Sequence, residues 1–148
     1  MTTATGIRIT VIGTPKPKGS LKHIGRGRLV EQVTGSTPWR QTVAWAARSQ
    51  HHGDPIADPA VVLFEVRVAL PKSAPKRRII WPATRSSGDI DKHARNILDA
   101  LVDGGILADD SRVVDLRGRK RHCLPGEQPG AVICVRPATD TDLTGDLS

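Results

Sequence analysis

The chain has 148 residues and a formal net charge of +7 at pH 7, from 22 lysines and arginines against 15 aspartates and glutamates. This length fits one domain with one core, which we expect over residues 1–137, followed by an acidic, disordered tail over residues 138–148. No apolar run is long enough to cross a membrane, and the N-terminus lacks the apolar stretch of a signal peptide, so we expect a cytoplasmic protein. With three Trp, one Phe and no Tyr, the composition argues against a single-strand binder built on stacking platforms.

The first predicted element is a strand over residues 6–13, where Ile7, Ile9 and Val11 alternate with other residues. Prolines and lysines at positions 15–19 break it. Residues 22–33 alternate only weakly, and their basic residues lie among glycines, which predicts a hairpin or loop that can track phosphates. Taken singly, each of these charges is explained as well by a solvated loop.

Thr37 and Pro38 predict the start of a helix, with Thr as the N-cap. Its apolar stripe consists of Trp39, Val43, Ala46 and Ala47. The stripe fades at Gln50 and His51. We expect His51 and His52 to be exposed residues at the end of the helix, because a metal site would need a third ligand nearby in sequence. Residues 60–70 (AVVLFEVRVAL) are rich in β-branched residues and predict a central strand.

Residues 71–87 combine three prolines with five basic residues, which predicts a long basic loop that enters the site described next. Trp81 lies in this loop and can either stack on a base or fill the core. The following residues recur at the spacing of one helical face: Ile90, Ala94, Ile97, Leu98 and Leu101. They predict a helix of about three to four turns that is capped by Ser86, Ser87 or Asp89 and ended by two glycines at 104–105.

Six carboxylates crowd into residues 88–114, namely Asp89, Asp91, Asp99, Asp103, Asp109 and Asp110. A tight reversal after the helix can carry the chain back toward the start of the helix, so Asp110 can meet Asp89 and Asp91 in space. Converging carboxylates repel one another unless a cation lies between them, and oxygen ligands without Cys or His select Mg²⁺ or Mn²⁺. In the alternative interpretation, Asp89 only caps the helix, Asp99 and Asp103 are solvated, and the Asp109–Asp110 pair forms only a turn.

The charge distribution supports the metal interpretation. Outside residues 89–110 and the tail, the chain carries 20 basic and 6 acidic residues. An acidic pocket in a strongly positive surface is what a phosphodiester-cleaving enzyme needs, because the surface holds the polyanion while the pocket recruits the metal.

The C-terminal part completes a predicted sheet. Residues 112–123 form a strand with four bases over residues 117–121, residues 125–129 form a turn, and residues 131–135 close the sheet. Cys123 and Cys134 lack the spacing of a zinc site; we expect them to be reduced on neighbouring strands, although their spacing also permits a disulfide. The predicted fold class is α+β: a single domain with a mixed β-sheet of about four to five strands and two helices packed on one face.

The segment DIDKHARNILDAL, followed by GILADDSRVV, resembles the signature of the RusA family of Holliday-junction endonucleases, small resolvases that are common in prophages. The resemblance implies an Mg²⁺-dependent, homodimeric crossover junction endodeoxyribonuclease of recombination and repair, with Mn²⁺ able to substitute. The two acids of the DxD pair and the second acid of the DD pair bind metal and catalyse in that family. They correspond to Asp89, Asp91 and Asp110 here.

A family lysine corresponds to Arg95, which keeps the charge but gives up a proton far less readily. The resemblance therefore implies electrostatic stabilisation or DNA contact by this fourth catalytic candidate, rather than proton transfer. Family members often carry a basic residue just before the DxD pair, where this chain has Gly88, and Arg85 is a possible substitute.

The expected DNA-binding residues are the basic side chains of the loops and of the site: Lys16, Lys18, Lys22, Arg26, Arg28, Lys76, Arg77, Arg78, Arg85, Lys92, Arg119 and Lys120. The expected substrate is branched DNA, above all the four-way junction, whose two-fold symmetry matches a two-fold dimer. Two alternatives remain: a nuclease for other branched DNA such as flaps and forks, and a non-catalytic basic nucleic-acid-binding module.

Overall fold

In the computed structural model, which describes residues 6–19, 21–23, 29–31, 35–75 and 77–147, four strands form one mixed sheet in the order β1-β6-β4-β5. Their bounds are Ile7–Ile12 (β1), Ala60–Val68 (β4), Val113–His122 (β5) and Gly130–Pro137 (β6). β6 lies antiparallel between β1 and β4, and β5 runs parallel to β4 at the other side. Strands Leu21–His23 (β2) and Leu29–Glu31 (β3), described by their backbone, form the predicted hairpin.

Two long helices pack on one face of this sheet, α1 over Ser36–Gln50 and α2 over Ile90–Asp103. The core between them contains Ile9, Val43, Ile97, Leu101 and Ile133, all fully buried. The apolar faces of the predicted strands and helices therefore point into the core, as predicted, and the α+β fold is confirmed. Ile90 is an exception, because it is 42% exposed at the first turn of α2.

The first helix begins before the predicted Thr37 cap. Gly35 is the N-cap, with a φ of 89°, and it makes no side-chain capping hydrogen bond. A left-handed φ is easily adopted by glycine, so the chain turns into the helix there, and Pro38 falls within the first turn, where its missing N–H is not needed. Threonine capping was therefore a wrong prediction, although the proximity of a helix start to Pro38 was right.

The strand predicted to close the sheet is instead an interior strand, because β6 lies between β1 and β4. β1 and β5 are consequently the two edges. At the β1 edge, Gln50 from the end of α1 donates to the backbone oxygen of Thr10 at 2.9 Å and accepts from its N–H at 3.0 Å. One side-chain amide thus takes the place of a neighbouring strand.

The acidic tail was expected to be disordered, yet Asp140–Thr144 forms a short helix, α3. Thr139 and Asp142 form a capping box, and Asp142 accepts two hydrogen bonds of 2.7 Å from Arg136 on β6. These bonds hold the segment against the sheet. The two cysteines are free, as expected, but they do not lie on neighbouring strands, because Cys123 follows β5 and Cys134 lies on β6, with β4 between these two strands. No helix in the described ranges is both long and apolar enough to cross a bilayer.

Candidate metal and nucleic-acid site

The start of α2 presents two carboxylates to solvent. Asp89 is the N-cap of the helix, but its side chain makes no capping hydrogen bond and is 65% exposed, with Lys92 Nζ 3.7 Å away. Asp91 is exposed in the first turn and makes no hydrogen bond or ion pair with any described residue. An N-cap aspartate usually accepts a bond from the helix backbone. Both carboxylates are therefore available to another ligand, at the end of the helix dipole that favours negative charge.

The two adjacent acids after α2 have different surroundings. Asp109 accepts hydrogen bonds from the N–H (3.0 Å) and the hydroxyl of Ser111, which caps the 3₁₀ turn Asp110–Arg112. These hydrogen bonds hold the pKa of the Asp109 carboxyl below its ordinary value. Asp110 is exposed, and its carboxylate has no polar partner in the described part of the chain. The turn lies beside α2, with some Cα atoms of the two elements within 8 Å.

The structure does not show the three predicted metal ligands assembled into a metal-binding site. Within the described ranges, no three His, Cys, Asp or Glu side chains are placed to hold a metal ion, so the set Asp89, Asp91 and Asp110 stays a prediction. The chemistry of these donors does fit a hard cation, because all three are carboxylates without a hydrogen-bonded partner on the side chain. The neighbouring Asp109 is already engaged by Ser111.

The peptide before Asp89 is tightly enclosed. Gly88 has a φ of 85°, and a Cβ there would lie 2.6 Å from Pro17 Cγ and 2.9 Å from His93 Nε2. The fully buried His93 donates from Nε2 to the carbonyl oxygen of Ser87 at 2.6 Å. Because a carbonyl only accepts, the proton of the imidazole lies on Nε2. Burial is the main cause that lowers the pKa of His93, which keeps the ring neutral.

Lys120 of β5 reaches the same peptide from the sheet. Its ammonium donates to the carbonyl oxygen of Gly88 at 2.6 Å and to the Ser87 hydroxyl at 2.9 Å. The single proton of that hydroxyl is shared between the carbonyl oxygens of Pro82 (2.5 Å) and Thr84 (2.8 Å). Side chains from α2 and β5 thus fix the end of the basic loop directly before Asp89.

Asn96 fixes a second loop beside the site. Its side-chain amide is buried and donates to the carbonyl oxygens of Lys16 (3.0 Å) and Ser36 (3.2 Å). The backbone N–H of Lys18 also donates to the carbonyl oxygen of Lys92, at 3.0 Å. The loop after β1 is therefore held against α2 close to Gly88.

The predicted DNA-binding residues fall into four groups, of which the last, Lys18, Arg119 and Lys120, is already engaged within the protein. Arg77, Arg78, Arg85 and the catalytic candidate Arg95 are exposed and have no ion pair among the described residues, as DNA contact requires. Lys16 and Lys92 are partly buried near the start of α2. The side chains of Lys22, Arg26, Arg28 and Lys76 lie outside the described residues.

Two predicted DNA contacts on β5 are already engaged within the protein. Lys120 binds Ser87 and Gly88, whereas Arg119 pairs with Glu65 at 2.7 Å on the sheet face opposite the helices. Successive side chains of a strand point to opposite faces, so these two cannot line one surface beside α2. Lys18 is also engaged, because it pairs with Asp99 at 2.6 Å, and Asp99 is consequently not a freely solvated acid.

The helix-free sheet face carries a network of arginines and carboxylates. Arg121 makes bonds of 2.6 and 2.9 Å to Glu127 and lies 3.0 Å from Glu65. The hydrogen bonds from Arg121 hold the pKa of Glu127 at about 2, below its ordinary 4.5. Much of the positive charge of β5 is thus neutralised on this face, away from the candidate site.

Trp81 is 63% exposed. The prediction that it fills the core is therefore wrong, and stacking of Trp81 on a base stays a prediction. His93 had no assigned role, although it precedes Ile97 and Ala100 by four and seven residues, the spacing of one buried helical face. That spacing was the signal for a buried histidine directly behind the DxD pair.

The comparisons with known proteins agree with the motif. The family model described as endodeoxyribonuclease RusA matches residues 12–136, most of the chain, including the DxD and DD pairs and β5. No individually curated protein matches the chain significantly.

Proposed function

Because the chain belongs to the RusA family of endodeoxyribonucleases and is therefore a nuclease, we propose that it resolves four-way DNA junctions by Mg²⁺-dependent hydrolysis of phosphodiesters. The observation that carries this proposal is that Asp89 and Asp91, at the start of α2, are exposed and that their carboxylates accept no hydrogen bond from any described residue. Exposed arginines of the preceding loop, at 77, 78 and 85, flank these carboxylates in sequence. The proposed setting is the cytoplasm, where recombination and repair supply such junctions.

Asp89, Asp91 and Asp110 would hold the ion, with Mn²⁺ as a substitute for Mg²⁺. When bound, the ion supplies Lewis acidity that activates water for attack on phosphorus and offsets charge on the phosphate. Arg95 lies one turn after Asp91 on the same side of α2 and is exposed. It offsets charge on the nonbridging oxygens of the phosphate in the transition state, and its guanidinium stays protonated throughout.

A homodimer completes the proposal. A four-way junction is two-fold symmetric, so a two-fold dimer presents one metal site to each of two opposed strands and makes paired cuts. Sedimentation equilibrium at micromolar concentration should give twice the mass of the 148-residue chain. A monomer that still makes paired cuts would contradict this part of the proposal.

The decisive experiment compares a synthetic four-way junction with a linear duplex and a flap of matched sequence, each with Mg²⁺ and with EDTA. We expect paired nicks only in the junction and only with Mg²⁺. Equal cutting of flaps would assign the chain to branched DNA in general. Binding without any cutting would assign it to the non-catalytic class.

Asp91→Asn should leave junction binding in EDTA unchanged and slow cleavage by about a thousandfold or more, a barrier increase of about 4 kcal/mol, because it removes a charged ligand. Single-turnover cleavage and gel-shift assays measure the two effects. Asp103→Asn is the matched control, because Asp103 ends the same helix and pairs with Arg40 at 3.4 Å. A variant Asp91→Asn that cuts at the wild-type rate would disprove the ligand assignment.

A further inference from the structure

Three segments that are distant in sequence converge on the two residues before Asp89. Pro17 comes from the loop after β1, His93 from the buried face of α2, and Lys120 from β5. We propose that the Ser87–Gly88 peptide, together with these three side chains, forms a clamp that positions Asp89 for metal binding. His93 and Lys120 are then positioning residues of the nuclease site, and this inference rests on the function proposed above.

The clamp leaves the peptide little freedom. Both carbonyl oxygens accept hydrogen bonds of 2.6 Å, Ser87 from His93 and Gly88 from Lys120. Gly88 has a left-handed φ, which favours glycine. In addition, a Cβ at this position would lie within 3 Å of both Pro17 and His93, so no side chain fits there. The direction in which the chain enters Asp89 is therefore fixed from three sides.

Asp89 is fixed on its other side by the helix. Its carbonyl oxygen accepts from the backbone N–H of Lys92 and of His93, each at 3.1 Å. With the backbone held on both sides and the carboxylate unbonded and 65% exposed, the remaining freedom of Asp89 lies in its side chain alone. Residues that orient metal ligands in this way typically contribute tenfold to a hundredfold to metal affinity.

The clamp changes the role of Lys120. Two of the three N–H donors of the Lys120 ammonium are engaged by a carbonyl and a hydroxyl of its own protein, which leaves it less available to phosphate than the basic run of β5 had suggested. Its positive charge also lies near a site that attracts cations. By charge alone, removal of Lys120 would therefore tighten metal binding, whereas loss of a positioning bond would weaken it. The two roles predict opposite signs.

The test uses the full chain and Mn²⁺ alone, titrated by calorimetry, with gel-shift binding of the junction in EDTA as a second measurement. Lys120→Met and His93→Leu should each raise the Mn²⁺ dissociation constant about tenfold to a hundredfold while leaving junction binding unchanged. His93→Gln keeps an N–H donor near the position of Nε2 and should largely restore the wild-type constant.

Arg117→Met is the matched control for charge, because Arg117 lies on the opposite face of the same strand and pairs with Asp115 at 3.5 Å. It should not weaken Mn²⁺ binding. If His93→Leu fails to give a cooperative thermal transition, Lys120→Met and His93→Gln carry the test.

Unchanged or tighter Mn²⁺ binding by Lys120→Met would overturn the inference, as would a His93→Gln variant as impaired as a folded His93→Leu. Weaker junction binding by Lys120→Met in EDTA would assign Lys120 to DNA and would also overturn it. If the wild-type chain itself binds no Mn²⁺ and cuts no junction, the proposed function fails together with the clamp. Wild-type metal binding with unaffected variants overturns the clamp alone.

Discussion

Single acidic residues in this chain differ in role according to their nearest neighbours. Asp109 and Asp110 are adjacent in sequence, yet Asp109 caps a turn through Ser111, whereas the carboxylate of Asp110 has no polar partner in the described part of the chain. Sequence reasoning from residues alone could not separate them, because both stand in the same turn-forming context. The resemblance to the family selected the second acid, and the surroundings of the two residues agree with that selection.

At the same scale, Glu127 should contribute to the pH dependence of stability. Its pKa is about 2 in the folded chain, against an ordinary 4.5, so the folded state binds fewer protons than the unfolded state between these values. The stabilisation by the ion pair with Arg121 is therefore complete above about pH 5 and is lost as the pH falls toward 2. Thermal unfolding midpoints of the wild type and Glu127→Gln should differ at pH 6 and converge near pH 2. Parallel curves over this range would contradict the prediction.

At the scale of elements, the sequence predicted the strands and helices well, because the apolar periods of β1, β4 and α2 are long and regular. It failed where a single residue, rather than a periodic apolar pattern, decides how an element begins or is held. The start of α1 depends on the left-handed φ of Gly35, and the segment Asp140–Thr144 is ordered by Arg136 of β6. Thr37 was chosen as the N-cap by residue type alone, whereas the Thr139–Asp142 capping box was a local signal that the acidic composition of the tail outweighed in the prediction.

Asn96 links three elements, and its replacement should destabilise all of them together. Asn96→Leu has a similar shape but leaves the carbonyl oxygens of Lys16 and Ser36 without their donor. Buried acceptors left unsatisfied cost about 1–3 kcal/mol, which urea denaturation should detect as a lower midpoint with an unchanged slope. Ser36→Ala is the milder control, because it removes only an acceptor 3.3 Å away. A wild-type midpoint for Asn96→Leu would show that this link is not needed.

For the whole molecule, the net charge of +7 is unevenly distributed. On the helix-free face of the sheet, the arginines of β5 meet Glu65 and Glu127, whereas Arg77, Arg78 and Arg85 before α2 have no such partners. The total charge and its distribution along the chain could be read from the sequence. Its separation between the two faces could not, because that depends on the register of β4 against β5.

Junction binding should therefore depend on salt through the loop before α2. Each phosphate contact contributes about 0.9 to the slope of log affinity against log salt concentration. The double variant Arg77→Gln/Arg78→Gln should reduce the slope by about 2, measured by fluorescence anisotropy between 50 and 200 mM salt. Arg48→Gln is the control, because Arg48 contacts the carbonyl oxygen of Asp103 at the other end of α2. If the double variant has the same slope as the wild type, the DNA does not contact Arg77 and Arg78.

The convergence of distant segments on Gly88 also bears on how the protein matures during synthesis. Pro17, Gly88 and Lys120 emerge from the ribosome at widely separated times, and contacts between such distant residues form late in folding. A nascent chain that already exposes Asp89 and Asp91 still lacks Lys120, which holds the Gly88 carbonyl oxygen. Under the proposed clamp, the nuclease site therefore gains its full metal affinity only once Lys120 has been synthesised and β5 has joined the sheet.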